Sequence, residues 1–186
     1  MVHLHTLWLP IVLSSVVVFF ISFVLHMLLP VHKNDLSKLP SEEKIMDALR
    51  PFSIPPGDYM MPCGTGPESM KDPAFLQRMK AGPVAVMTVM KSGPPTMGRS
   101  LGLWFIYLLV VSTFAAYVCS RAVGPGESYL HVFRFAGVTA FAGYALAGWQ
   151  ESIWFQRKCS TTIKNTIDGL IYALFTAGMF GWLWPR

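Results

Sequence analysis

Four strongly apolar stretches and one long polar one set the layout of this chain. The first apolar stretch covers about residues 8–29, which matches the roughly 20 residues needed to cross a hydrocarbon core. Three more follow, at about residues 101–118, 129–148 and 163–184. Between the first and second lie residues 31–99, which hold ten of the fourteen prolines and eight of the eleven methionines. The pattern predicts an all-α membrane protein with four transmembrane helices. A small mixed α/β or irregular insert separates helices 1 and 2. In domain terms, residues 7–30 are helix 1, residues 31–99 the insert, and residues 100–186 helices 2–4.

Local signals refine these elements. Pro10 sits in the first turn of helix 1, where a missing N–H costs little, and Pro30 stops the helix. The segment lacks a basic leader and an A-x-A cleavage pattern, so it reads as a span and not as a removable signal. Ser15, Ser22 and His26, seven and four residues apart, fall on one face that should look toward other helices. In the insert, Ser41 is the expected N-cap of a short helix, with Glu42 and Glu43 at its positive end and Pro51 closing it. Ile45, Met46, Ala48 and Leu49 make its apolar face. Asp72 and Pro73 start a second short helix that ends at Gly82. Residues 83–90 alternate as a strand that residues 58–61 can pair with. Gly124-Pro125-Gly126 is a tight turn, which makes spans two and three antiparallel neighbours.

Two small-residue stripes predict close helix packing: Thr139, Gly143 and Ala147 in span three, and Gly169, Ala173, Ala177 and Gly181 in span four. All six tryptophans, at positions 8, 104, 149, 154, 182 and 184, fall at or near span ends, as in an aromatic belt.

Composition agrees with a bilayer. The chain is 53% hydrophobic and 13% charged, about half the usual charged share. The net charge of +5 raises nucleic acid as a partner, but no basic cluster of the required kind is present. Twelve of the fifteen Lys and Arg lie in the insert or the loop after span three. By the positive-inside rule this predicts a cytoplasmic insert with both termini outside. The three cysteines form no CxxC pair. Cys119 should lie across the membrane from Cys63 and Cys159, which leaves those two as the one possible bridge and isolated thiols as the simpler reading.

Candidate chemistry is sparse. His26 is a functional candidate because ionisable groups inside spans are costly; the competing reading is a histidine hydrogen-bonded near its helix end. Asp168 is the second candidate, and Lys164 one turn earlier is spaced to pair with it. His131 and Arg134 suit headgroup contacts. Met60, Met61, Cys63 and Met70, with His26 and His32, are the soft donors from which a copper site would be drawn. Their spacing is irregular and methionine is a routine gap-filler, so neither a metal nor any cofactor is assigned. No P-loop, dinucleotide fingerprint, nucleophile elbow, HExxH or CxxCH occurs.

Several stretches together resemble a family of small bacterial inner-membrane proteins with four spans and a Pro/Gly/Met-rich insert. They are HKNDLSKLP at residues 32–40, PGDYMMPC at 56–63, GPPTMGRSLGLWF at 93–105, FRFAGVTAF at 133–141 and GWLWP at 181–185. The resemblance implies a bacterial inner-membrane location and carries over no activity and no site residues.

The leading expectation is a non-catalytic accessory or scaffolding subunit of a larger membrane complex of respiratory or photosynthetic type. Its partners would be membrane lipids and other subunits, or further copies of itself. Phe52, Tyr59, Met60, Met61 and Phe75 are the expected docking side chains of the insert. One alternative is copper or lipid handling. A second is a small membrane enzyme, which requires His26 and Asp168 to converge in a cavity.

Overall fold

The computed structural model describes residues 2–186, which form two compact units. One comprises residues 2–37 with Thr96–Arg186; the other is Lys38–Pro95. The second unit is shorter than the polar stretch that announced it. Residues 31–37 belong with the helices because their backbone and Asp35 are tied to the fourth long helix, as described below.

The first unit is built on four long helices. Helix α1 (Trp8–Phe23) is extended by a 3-10 turn at Leu4–Leu7 and a π turn at Val24–Leu28. Helix α4 spans Met97–Ala122 and α5 Tyr129–Ala145; α5 continues through a 3-10 turn and the short α6 (Trp149–Phe155). Helix α7 is Cys159–Trp182. Three stretches are long and apolar enough to cross a membrane: Leu4–Leu28, Met97–Ala122 and Tyr129–Phe155. Helix α7 is not one of them, and its composition explains why. Its inner face carries Thr162, Asp168 and Thr176, all buried in the bundle.

The four helices close a ring in which α1 packs on α4, α4 on α5, α5 on α7 and α7 on α1. Neighbours run antiparallel in an up-down-up-down arrangement, with a short turn joining α4 to α5 and the Lys38–Pro95 unit inserted in the chain between α1 and α4. The turn after α4 is held by the far end of the chain: Gly126 N–H donates to Pro185 O at 2.9 Å, and Trp184 Nε1 donates to Gly124 O at 2.8 Å. At this end Leu7, Ala115, Val132, Ala136, Ala177 and Phe180 form the core.

The seam between α5 and α7 is the closest approach. A Cβ added at Gly169 would stand 2.8 Å from Ala145 Cβ, and one at Gly181 2.7 Å from Tyr129 Cδ2. Ala173 and Ala177 are buried between these points, so the whole stripe on α7 faces its neighbour. The α5 side differs from the expected one. Ala136, Gly137, Ala140 and Ala145 line the seam. Gly143 instead faces α4, where a Cβ would meet Val111 at 3.0 Å. Thr139 turns its hydroxyl back to Phe135 O, and Ala147 is exposed. A four-residue repeat was too coarse a guide because α5 touches two helices at once.

Ser15 and Ser22 do look into the bundle. Ser15 Oγ lies 3.2 Å from Ser112 Oγ on α4, and Ser22 Oγ accepts from Trp104 Nε1 at 2.9 Å. Trp104 is half-buried, with its indole turned toward α1. Helix α4 begins earlier than the apolar pattern implied, at Met97, which puts Trp104 two turns in.

The second unit holds α2 (Glu42–Leu49), α3 (Pro73–Ala81) and an antiparallel pair, β1 (Gly57–Met61) and β2 (Ala85–Val89). Tyr59 is opposite Met87 in this pair, and Thr88 Oγ1 donates to Asp58 Oδ1 at 2.6 Å. Asp72 caps α3 as expected, accepting from Ala74 N–H at 2.9 Å. Ser41 stands at the N-cap of α2 but gives no side-chain cap, because its backbone is left-handed with φ 51°.

Candidate metal centre

The π turn at the end of α1 is where the site begins. Its i→i+5 geometry is closed by Leu29 N–H donating to Val24 O at 3.1 Å. Turns of this kind are rare and occur frequently at functional sites. It carries His26. Pro30 then starts a 3-10 turn, Pro30–His32, that folds the chain back. As a result the His26 and His32 rings stack, with centroids 4.4 Å apart and planes 6° from parallel.

Asp168, in the third turn of α7, faces both rings. Its Oδ2 lies 2.8 Å from His32 Nε2 and 3.9 Å from His26 Nε2. The three donor atoms fall within 4.8 Å of one another. The side chains of His32 and Asp168 are 12% and 8% exposed, and that of His26 46%.

The surrounding groups assign the ring protons. His32 Nδ1 lies 2.7 Å from Asp35 Oδ2, and His26 Nδ1 lies 3.1 Å from the Ser22 carbonyl oxygen. A carboxylate and a carbonyl only accept, so both Nδ1 atoms donate, and in the neutral rings that a metal would bind both Nε2 atoms present a lone pair. The 2.8 Å approach lacks hydrogen-bond direction: His32 Nε2 and Asp168 Oδ2 are both buried and neither has a hydrogen-bond partner. Leaving such atoms unsatisfied costs about 1–3 kcal/mol each.

A cation between them resolves the arrangement. Metal bonds of roughly 2.0–2.2 Å to nitrogen and oxygen require ligand atoms about 3–4 Å apart. Asp168 Oδ2 stands 2.8 and 3.9 Å from the two Nε2 atoms, and the stacked rings must tilt out of parallel before both can point at one ion. Two imidazoles and one carboxylate suit a divalent first-row ion and leave coordination positions open. Metal-ligating histidines usually donate their other N–H to a carboxylate or carbonyl, and both histidines do so here.

Asp35 is itself anchored. Lys164 Nζ reaches Asp35 Oδ1 at 2.7 Å and Val31 O at 2.7 Å, while Lys158 Nζ donates to Asn34 O at 3.1 Å. The Lys164 ammonium, and then His32, hold the Asp35 carboxyl below its ordinary value of 3.8. The expected pairing of Lys164 with Asp168 is thus replaced. Lys164 takes Asp35, and Asp168 is left to the histidines, because the folded-back segment brings a second carboxylate that helix spacing cannot reveal.

A cavity of about 550 Å³ adjoins the donors. Its walls are Phe19, Ser22, Phe23, His26 and Met27 of α1, Met97, Leu101 and Trp104 of α4, Tyr144 of α5, and Asn165, Asp168 and Tyr172 of α7. His26 and Asp168 converge on one cavity wall, as the enzyme alternative required.

The other candidates lie elsewhere. Met60, Met61, Cys63 and Met70 belong to the second unit, and the group of potential metal ligands in the first is His26, His32 and Asp168. All three cysteines are free thiols. Phe52, Met60 and Met61 are exposed and Tyr59 is half-buried, its hydroxyl donating to Pro55 O. Phe75, expected on that surface, is instead 5% exposed, with Arg78 over its ring. His131 pairs with Glu127 at 3.1 Å, within one turn of the start of α5. Asp35, Asn165 and Trp104 were missed as site residues. The one available signal was the i,i+3 spacing of His32 and Asp35.

Comparison with known proteins finds no family model that matches the chain, and no curated protein or solved structure similar to it.

Proposed function

We propose that this chain is a four-span membrane protein that binds a divalent transition-metal ion through His26, His32 and Asp168. The observation that carries the reading is the close approach, at 2.8 Å, of two buried atoms that have no hydrogen-bond partner, His32 Nε2 and Asp168 Oδ2. The Nδ1 partners of both histidines support it. The metal-handling alternative thereby comes ahead of the accessory-subunit reading, for which the helices offer no comparable observation. The donor set favours zinc, iron or manganese over the copper that sulfur ligands would select.

The fourth span is α7. At 24 residues and about 1.5 Å per residue it is roughly 36 Å long, enough for a bilayer. Thr162, Asp168 and Thr176 are buried in the bundle, where polar groups in membrane helices belong. The charge distribution supports an inner-membrane orientation with the Lys38–Pro95 unit in the cytoplasm and the metal site near that side.

Metal analysis tests this directly. Protein purified in mild detergent, equilibrated with zinc, iron(II) or manganese and then desalted, should retain one ion per chain. His32→Ala and Asp168→Ala should each lose it while keeping wild-type helicity. Equal metal retention in wild type and both variants would overturn the assignment, as would no retention in wild type.

A further inference from the structure

The cavity beside the donors has a polar end and an open apolar side. His26, Asp168 and Asn165 form the polar end. Phe23, Met27, Met97 and Leu101 border the opposite side and are 50%, 64%, 55% and 45% exposed. All four lie on the outer faces of helices apolar enough to span a membrane, so this side opens to lipid. A ligand entering from there is itself membrane-soluble. At about 550 Å³ the space falls within the roughly 300–1,000 Å³ of small-molecule sites.

Charge selects the head of that ligand. A divalent ion held by two neutral imidazoles and the Asp168 carboxylate leaves one uncompensated positive charge. Asp35 cannot cancel it, because its own charge is matched by Lys164 at 2.7 Å. An uncompensated charge in an apolar surrounding is costly, and an anion at the open coordination position removes it. Asn165, on the same wall, adds amide donors for a second oxygen. A carboxylate meets both requirements, since one oxygen can ligate the ion while the other accepts a hydrogen bond.

We propose that the cavity binds a single-chain lipid whose carboxylate completes the coordination of the ion held by His26, His32 and Asp168, and whose chain leaves between α1 and α4. This rests on the metal reading above. Trp104 lies along the path of the chain and offers a reporter.

The experiment loads the full chain with cobalt(II) in a non-ionic detergent and adds dibromostearate or the matching brominated alcohol. The cobalt visible bands report the metal, and quenching of Trp104 fluorescence, taken as the part lost in Trp104→Phe, reports the chain. Dibromostearate should shift the cobalt bands and quench Trp104 saturably, and the alcohol should do neither. Metal-free protein should lose the saturable quenching. Leu101→Trp, which fills the cavity, should keep the cobalt spectrum of unliganded protein and lose its response to the acid. If cobalt binds but its bands ignore the acid, or acid and alcohol act alike, the lipid inference fails and the metal site stands. An unchanged acid response in Leu101→Trp also overturns it. A chain that takes up no cobalt overturns both.

Discussion

Gly169 tests the link between helix packing and the site, because two opposing effects meet there. Replacing a helical glycine by alanine normally stabilises by about 0.5–1 kcal/mol, through the backbone freedom removed from the unfolded chain. At Gly102 in α4 that gain should appear unopposed, since nothing lies within 4 Å of an added Cβ. At Gly169 the same methyl meets Ala145 Cβ at 2.8 Å, with Ala145 Cα and the Tyr144 carbonyl carbon at 3.3 Å. Two of these three atoms are backbone, so no side-chain rotation relieves the contact. Helices α5 and α7 must part by about half an ångström to reach the 3.4 Å at which ordinary contact begins. Overpacking of this kind typically costs 1–3 kcal/mol. The net expectation is a loss of about 1 kcal/mol for Gly169→Ala against a gain of about 0.5–1 kcal/mol for Gly102→Ala. Asp168 is the preceding residue, so the displacement also moves its carboxylate relative to His32, and metal affinity should fall in the first variant alone. Thermal unfolding in mild detergent reads the stabilities and a metal titration reads the site. If both variants shift stability in the same direction by like amounts, the α5–α7 approach is not as close as described.

Three further expectations follow from other parts of the chain. Asp35→Asn should weaken metal binding by about 10–100-fold, as loss of a histidine's outer carboxylate typically does; unchanged affinity would remove Asp35 from the site. Cys63 is an exposed free thiol, and in intact cells an impermeant thiol reagent should leave it unlabelled until the membrane is permeabilised; labelling from outside would reverse the orientation. His131 holds the Glu127 carboxyl below its ordinary value of 4.5. The folded-state value is thus depressed, and the pair's contribution is complete above the ordinary value and lost as the pH falls through the depressed one. Wild type and Glu127→Gln should therefore differ in detergent stability at about pH 5–6, where an imidazole carries charge, and converge on further acidification. A difference that persists into acid would mean that the pair is not its source.

Much of the architecture is written in periodicity and composition. Long apolar runs leave the chain no better place than a bilayer, and that holds whatever the helices do to one another. Asp72-Pro73 capped its helix because caps are satisfied by neighbours in sequence, and residues 58–61 found their strand across the intervening α3 because alternation marks both partners. The α7 stripe of Gly169, Ala173, Ala177 and Gly181 was also legible, since one helix face repeats every four residues. What the chain alone could not reveal is which face meets which helix. Thr139 and Ala147 follow the same spacing yet miss the seam, and Trp104 turns its indole to Ser22 of α1, a partner 82 residues away. The site was hidden for the same reason. His26, His32 and Asp168 come from two segments more than a hundred residues apart, and Lys164 has two carboxylates it could take. Only the fold-back at Pro30 and the antiparallel placement of α1 against α7 decide that it takes Asp35. That choice frees Asp168 for the histidines. Coulombic and lone-pair interactions act over a few ångströms, and those distances are set by tertiary packing and not by position along the chain.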